Sequence, residues 1–566
     1  MIDFSDANLR KKNVKLKNYK QFLIFVNYES SDMKKLDLMF LILTLLFAVL
    51  MSVPFLVPHT GMLALFGFVP LLVMETVAEI RRVRHFWIWH YSAFVLWNAI
   101  TTFWVCNATI GGGIFAVLAN AFQMSLIFGV FRFGKKYLGN ILSYIFLAMI
   151  WIAWERFYFS AQISWPWLTL GNAFARSTGL VQWYEYTGSL GGSLWVWACN
   201  LWAFFILMFL LGDHYRDLRI SRRFLMAAGY AVVLFVPVII SRCIYSNYEE
   251  SADGGLDVVI AQPNFDPYEK FESVSRQEQN RILLDLFDEG LSRLEDSDGR
   301  PLLIAPETFT NDIIVGSYDQ SPTWNEFQAF LGSHRPADIL FGASTFEYFD
   351  SRTAPSPNSR HIRDDIWLET HNSALMVNRS GDTELYHKSK LVVGVEMTPF
   401  PSFFTKIDDM LGNVMGRCVG QEEVSLLHSG DVPIGSVICY ESVFGEYCTQ
   451  YVKKGARALA IITNDSWWGN TPGYRQHMSY ASLRAIETRR DIARCANSGI
   501  SAIIDQRGDV VSESEWWNRE VMVGRLNLND RETFFVKHGD LVGRICTVAF
   551  FAFLLLFFVR LFVRRK

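Results

Sequence analysis

Apolar residues follow two regimes along this chain. Up to about Cys243 they run in blocks of ~20 with few charges between them, the length that crosses a hydrocarbon layer ~30 Å thick. From about Leu256 to Asn529 they fall in short stretches of strand length, separated by charged and turn-forming segments. A last unbroken block follows at residues 541–563. The blocks predict eight membrane spans, at residues 38–57, 60–78, 85–107, 112–133, 139–159, 190–212, 224–241 and 541–563. The expected organisation is an N-terminal tail (1–36), a seven-span membrane region (37–245), a globular segment (255–530) and a C-terminal transmembrane helix (541–563).

Strand-like runs recur in the globular segment at residues 256–262, 301–307, 337–345, 371–379, 433–439, 458–464 and 498–505. Between the first two lies an amphipathic helix with Leu283, Phe287, Leu291 and Leu294 on one face, and a second helix is expected over residues 476–494. Strands interleaved with helices and hairpins predict an α/β sandwich with its reactive residues at strand ends.

Composition agrees that two regions are needed. With 566 residues, 51% hydrophobic and 15% aromatic, the chain is too apolar for one soluble domain and too charged in its second half to be wholly embedded. Basic clusters set the expected orientation: Arg10 to Lys20, Arg81 to Arg84, Lys135 and Lys136, Arg216 to Arg223, and Arg564 to Lys566 all fall on one side of eight spans. The positive-inside rule makes that side cytoplasmic, with both termini, and puts the globular segment outside. No cleavable signal peptide is expected, because the first 36 residues are basic and interrupted. A net charge of −3 carries no nucleic-acid signal, and no such partner is expected. The eight cysteines show neither CxxC nor metal-type spacing, so no metal is expected; a bridge between Cys418 and Cys448 stays open.

Three residues carry candidate chemistry: Glu307 at the end of PLLIAPE, Lys388 in YHK, and Cys439 at the end of DVPIGSVIC. A carboxylate can take a thiol's proton, and an ammonium can hold both a thiolate and a developing oxyanion, so the set suits acyl chemistry on cysteine. Taken alone, Cys439 could equally be a structural core thiol. Glu155 and Arg156, inside an apolar block, read most simply as a mutual pair, and Trp165 and Trp167 as an aromatic belt at the membrane surface.

The order APE, YHK, ICYE, TNDSWWG, QH and RAIE resembles the carbon-nitrogen hydrolase (nitrilase) superfamily. Set after seven spans and before a final one, it resembles the apolipoprotein N-acyltransferase family within it. The likeness extends to WERFYFSAQISWPWLTLGN in the membrane half and QPNFDPYEKF at the start of the globular segment. It implies a membrane helical bundle joined to a nitrilase-like α-β-β-α sandwich, with Glu307 as general base, Lys388 stabilising the transition state and Cys439 as nucleophile. Glu396, Tyr440 and Glu441 fall on the family's supporting positions. Two departures stand out: LVVGVE (residues 391–396) replaces the family's Pro-Phe-Gly-Glu turn, and Phe271 stands where the family often has Trp.

The resemblance implies acyl transfer from a phospholipid, through a Cys439 thioester, to the N-terminal amine of a diacylglyceryl apolipoprotein. It further implies a monomer in the bacterial inner membrane, a periplasmic catalytic domain and no cofactor. Besides Phe271, the connector MTPFPSFFTKIDDMLGNVMG offers Phe403, Phe404, Met410 and Leu411 as lipid contacts. A membrane-tethered amidase or nitrilase-type hydrolase would use the same three residues, and Glu396 and Glu441 could also be salt-bridge partners of Lys388 or of other cations. A non-enzymatic scaffold is disfavoured because all three reactive groups are present.

Overall fold

The computed structural model describes residues 33–211, 220–251, 253–267, 270, 273–294, 299–401, 404 and 416–563. Its membrane half is built from α1 (Met33–Leu56), α2 (Val69–Arg81), α3 (Phe86–Thr102), α4 (Ile110–Leu138), α5 (Asn140–Ser160), α6 (Tyr184–Leu210) and α7 (Ile220–Asn247). Among the described residues seven helical stretches are long and apolar enough to cross a membrane, including the C-terminal Leu541–Val563 and Gly61–Arg81, whose second part is α2. The predicted span 85–107 is not one of them. Its helix α3 has 17 residues and rises about 25 Å, less than a hydrocarbon layer of ~30 Å, before a short turn at Val105–Ala108.

The globular segment folds as β1 (Gly255–Gln262), α8 (Arg276–Arg293), β2 (Leu302–Ile304), β3 (Thr310–Ile314), α9 (Pro322–Ser333), β4 (Asp338–Asp350), β5 (Arg360–Arg363), β6 (Ile366–Asn378) and β7 (Thr383–His387). It continues with β8 (Leu426–Ser429), β9 (Val432–Ile438), α10 (Gly445–Lys453), β10 (Ala458–Thr463), α11 (Pro472–Thr488), β11 (Ile492–Ala496), β12 (Ala502–Ile504), β13 (Val510–Glu513) and β14 (Glu520–Asn527), and the chain re-enters the membrane half as α12 (Leu541–Val563).

One sheet runs β14-β1-β2-β4-β6-β5, with β3 on β4 and β7 on β6; the other runs β13-β12-β11-β10-β9-β8. Alternation assigns the faces. Val258, Ile260, Leu340, Ala374 and Tyr386 turn toward the second sheet, while Val259, Ala261, Phe341 and Leu375 turn toward α8 and α9, where Leu283, Phe287, Phe327 and Leu331 are buried. The result is an α-β-β-α sandwich.

All seven predicted strand runs contain a strand, although the last shrinks to Ala502–Ile504. The predicted helix 476–494 stops six residues early. Arg489 takes a left-handed conformation (φ 51°) and ends α11, and residues 492–496 form β11, paired parallel with β10. Period alone could not separate that short apolar run from a helix end.

α11 also locks the sandwich to the membrane half. Gln476 accepts hydrogen bonds from Trp104 Nε1 (3.3 Å) and Trp167 Nε1 (2.7 Å) and donates to the Thr101 carbonyl (3.0 Å). At the far end of α11, Arg489 pairs with Glu185 at 2.8 Å and donates to Gln182 at 2.8 Å. Trp167 is buried, stacked on Trp165 (5.2 Å) and against Trp104 (4.9 Å) and Trp468 (5.8 Å), so it is interface core rather than a surface belt. Arg156 pairs with Asp540 at 3.5 Å, whereas Glu155 accepts from Leu170 N (2.8 Å) and Trp151 Nε1 (3.2 Å). The expected mutual pair is thereby replaced, because each group finds a partner on another segment.

Candidate active site

Three turns deliver the reactive side chains. Glu307 lies three residues past the end of β2 and precedes Thr308, which is held at φ 47°. A Cβ on Gly342 would lie 2.5 Å from Glu307 Cα, so only glycine lets β4 approach this turn. Lys388 follows β7, and its backbone N–H donates to the Asn372 carbonyl at 2.8 Å. Cys439 follows β9 at φ 49°, a conformation that a non-glycine residue adopts only when the surroundings enforce it.

Burial makes the charges interdependent. Lys388 Nζ lies 3.1 Å from Glu307 Oε1 and 2.8 Å from Glu396 Oε1, and only 1% of its side chain is exposed. Asn372 Nδ2 donates to the same two oxygens, at 2.8 Å to Glu307 and 2.6 Å to Glu396. Asn464 N donates to the other Glu307 oxygen at 3.0 Å. Burial alone would lower the Lys388 ammonium, but the Glu307 and Glu396 carboxylates outweigh it and hold the group well above its ordinary value. The Cys439 thiol is pushed well above its ordinary value by burial and then by the Glu307 carboxylate, against the opposing pull of Lys388. The resting group is thus a thiol, which needs a base at hand.

Glu396 sits in a tight reversal despite its departure from the family's turn. Its N–H donates to the Val392 carbonyl at 2.8 Å, Val392 N donates to its Oε2 at 2.7 Å, and Gly394 supplies a φ of 81°. Glu441 works differently. It accepts from Tyr386 Oη (2.6 Å), Ser389 N (2.7 Å) and Ile438 N (2.8 Å), tying the backbone after Lys388 to the strand that ends in Cys439. Tyr440 donates to the Ser164 carbonyl at 3.0 Å and stacks on Trp165 at 6.1 Å, so the residue beside the thiol touches the membrane half.

Several supporting groups escaped the sequence reading. Lys270, buried and pushed down to about 7 by burial against the opposing Glu307 charge, donates to the Thr308 carbonyl at 2.6 Å. Asp465 accepts from His477 Nδ1 (2.9 Å) and Arg494 Nη2 (2.6 Å), and His477 Nε2 lies 3.1 Å from the Cys439 carbonyl. Asp465 and His477 stand in motifs quoted for the resemblance, TNDSWWG and QH, but nothing local showed that they converge behind the thiol. Asn372 had no signal beyond its strand.

Of the proposed lipid contacts, Phe271, Phe403, Met410 and Leu411 lie outside the described residues. Phe404 is half-buried, and nearby Phe400 is 51% exposed with its N–H donating to Gln162 Oε1 at 3.1 Å. A cavity of about 300 Å³ opens between α5, α6 and α10, with Arg156, Lys390 and Lys453 beside Phe159, Phe444 and Phe535; the three reactive residues are not on its walls. All eight cysteines are free, Cys418 and Cys448 among them. Among the described residues one group of three potential metal ligands occurs, Glu347, His371 and His387.

Residues 47–202 match the family model of the apolipoprotein N-acyltransferase N-terminal domain, and residues 327–534 match that of carbon-nitrogen hydrolases. The second match begins after Glu307, although β1 and β2 lie in the same sheet as β4. The chain is 28% identical to an apolipoprotein N-acyltransferase of Chlorobaculum tepidum, over 86% of this chain and 90% of that one. It is 24% identical to one of Geobacter metallireducens (89% and 92% covered) and 23% identical to apolipoprotein N-acyltransferase 1 of Treponema denticola (93% and 98%). The two matched domains, in this order in a chain with seven helices of spanning length, place it in the apolipoprotein N-acyltransferase family of carbon-nitrogen hydrolases.

Proposed function

We propose that this membrane protein moves an acyl chain from a phospholipid to the N-terminal amine of a diacylglyceryl apolipoprotein through a thioester on Cys439. The observation that carries the reading is the buried Lys388–Glu307 pair at 3.1 Å, electrostatically coupled to a thiol on a strained turn whose neighbour Tyr440 contacts the membrane half.

In the first half-reaction Glu307 takes the thiol proton and the sulfur attacks the ester carbonyl carbon. Lys388 and a backbone N–H near Tyr440 hold the oxyanion. The C–O bond then breaks, and the lysophospholipid alkoxide leaves with the proton returned by Glu307. In the second half the lipoprotein amine attacks the thioester carbon, Glu307 accepts the amine proton, and the C–S bond breaks to leave an amide and the thiolate, which recovers its proton from Glu307. Glu396 and Asn372 position Lys388 and Glu307, while Glu441 and Tyr440 position the turn that carries the thiol.

The catalytic domain faces the periplasm of a bacterial inner membrane and both termini the cytoplasm, a reading of the basic clusters that counts α3 together with the turn at Val105–Ala108 as the eighth crossing. The protein works as a monomer and needs no cofactor. Intact mass of detergent-purified protein after incubation with phospholipid provides the test. The expected result is one added acyl mass, lost on hydroxylamine treatment and absent from Cys439→Ala. An adduct on Cys418 or Cys448, or free fatty acid released at the same rate without lipoprotein, would sink the proposal.

A further inference from the structure

Three neighbouring strands bring Glu347, His371 and His387 onto one face of the larger sheet. The parity is set along each strand. On β4, Leu340 faces the second sheet and Phe341 the helical layer, and Glu347 shares the parity of Phe341. On β6, His371 shares the parity of Leu375 and opposes Asn372, which reaches into the catalytic network. On β7, His387 opposes Tyr386, which is buried between the sheets. The register pairs Thr345 with His371 and Ser373 with His387, so Glu347 and His387 lie diagonally on either side of His371. Their ligand atoms all lie within 4.8 Å of one another, and the two imidazoles stack at 3.9 Å.

The hydrogen bonds decide which nitrogens are available. His371 Nδ1 lies 2.6 Å from the Val419 carbonyl oxygen, which can only accept, so Nδ1 carries the proton and Nε2 presents a lone pair. That Nε2 is buried without a hydrogen-bond partner, and the carboxylate oxygen it faces, Glu347 Oε2 at 3.5 Å, is another acceptor. Two acceptors facing each other require a positive charge between them. His387 Nδ1 is engaged by Ser373 Oγ at 2.8 Å, which leaves its Nε2 as the nitrogen available to a metal. A carbonyl or hydroxyl on the far nitrogen of each ring is the arrangement that orients metal-bound histidines.

We propose that Glu347, His371 and His387 form a site for a divalent transition-metal ion of the zinc class, held by one carboxylate oxygen and two Nε2 atoms. Two imidazoles and a carboxylate are a borderline donor set that suits zinc over magnesium or calcium. Ligands ~2.1 Å from a tetrahedral ion stand about 3.4 Å apart, close to the separation of His371 and Glu347; the His387 ring, stacked on His371, turns out of the stack to bring its Nε2 onto the ion, and the fourth position is left to water. The ion takes no part in acyl transfer. It clamps β4, β6 and β7 directly behind Asn372 and Lys388, which follow His371 and His387 in the chain.

The test uses full-length, detergent-purified Cys439→Ser protein, so that the reactive thiol binds no metal, after chelator treatment and removal of the chelator. Zinc chloride is titrated, with bound metal measured by elemental analysis and the thermal midpoint recorded in parallel. Cobalt(II) serves as a spectroscopic probe of the same ligands. The expected result is about one zinc per chain, a midpoint that rises with zinc, and visible cobalt bands of a four-coordinate nitrogen–oxygen site. Glu347→Gln and His371→Gln should each weaken zinc affinity roughly a hundredfold or more, beyond the 10–100-fold lost with an outer hydrogen-bond partner. If His371→Gln does not fold, Glu347→Gln, whose side chain is 34% exposed, carries the test alone. Absence of stoichiometric zinc, or zinc binding unchanged in Glu347→Gln, overturns the site and assigns the intervening charge to a proton shared by His371 and Glu347.

Discussion

Helices α11 and α12 invert one another. From Gln476 to Thr488 every residue of α11 is buried, although most of them are polar: Gln476, His477, Tyr480, Arg484, Glu487 and Thr488 among others. In α12 the order is reversed. Val548 is 71% exposed, Leu555 67% and Phe562 64%, and only Gly543 and Cys546 are buried. The lesson concerns solvent. Apolar side chains can face outward where the surroundings are lipid, whereas a polar helix can be buried only if its groups find partners.

α11 meets that condition from two sides, with partners in the sandwich and in the membrane half. Arg484 donates to the Ser442 and Val443 carbonyls (3.0 and 2.9 Å) just after the thiol, and pairs with Glu487 at 2.8 Å. Glu487 in turn accepts from Ser189 N at 3.0 Å, at the Gly188 break in α6. The same helix therefore supports the nucleophile's turn on one side and grips the membrane half on the other.

The largest expected effect comes from breaking that balance. Arg484→Met leaves Glu487 buried without its cation and should destabilise the protein by about 3–5 kcal/mol, seen as a large drop in the unfolding midpoint in detergent. A loss below about 1 kcal/mol would show that water reaches Glu487 and that α11 is not the dry interface described.

Lys388→Met carries the same logic into the reacting centre. Removing the cation from the oxyanion site should raise the barrier by about 2.7–4 kcal/mol, slowing both thioester formation and aminolysis roughly a hundredfold or more. Rapid-quench mass spectrometry on each half-reaction separates the two, and an effect on one alone contradicts a shared oxyanion site.

Glu307→Gln should be smaller at high pH than at neutrality. The Cys439 thiol is raised by burial and by the Glu307 charge, so the substitution removes the base and also one of the causes that disfavour thiolate. Single-turnover acylation should fall at neutral pH and recover as alkali ionises the thiol. Recovery in the Lys388 variant but not in this one would reverse the assigned roles.

The smallest effect belongs to α12. Phe551→Leu changes one lipid-facing apolar group for another and should shift stability by no more than about 0.5 kcal/mol. A core-sized loss would mean that another protein surface, not lipid, covers this face.

Much of the site was legible in the sequence because its residues end apolar runs. Glu307, Lys388 and Cys439 each close a strand, and a strand end is visible from composition alone. Glu396 was also expected as a possible partner of Lys388, and at 2.8 Å it is one. Glu441 was expected on the same footing, yet it accepts from tyrosine hydroxyls and backbone N–H groups. The basic cluster at Lys135 was read only as a sign of topology, but Lys135 is buried 2.7 Å from Glu75 and 2.8 Å from Glu79. Helix spacing shows which side chains share a face of one helix and says nothing about the next.

The sequence by itself determined the two regimes of the chain, the membrane helices, the strand runs and the order of the reactive residues. These are properties of length and period, written within windows of ten to twenty residues. The tertiary structure alone decided the partners of the buried polar groups. Gln476 meets Trp104 across 372 positions, and Asn372 meets Glu307 across 65. The physical reason is that a hydrogen bond requires two groups at contact distance, and distance in space is set by how sheets and helices pack, not by any residue's neighbours in the chain.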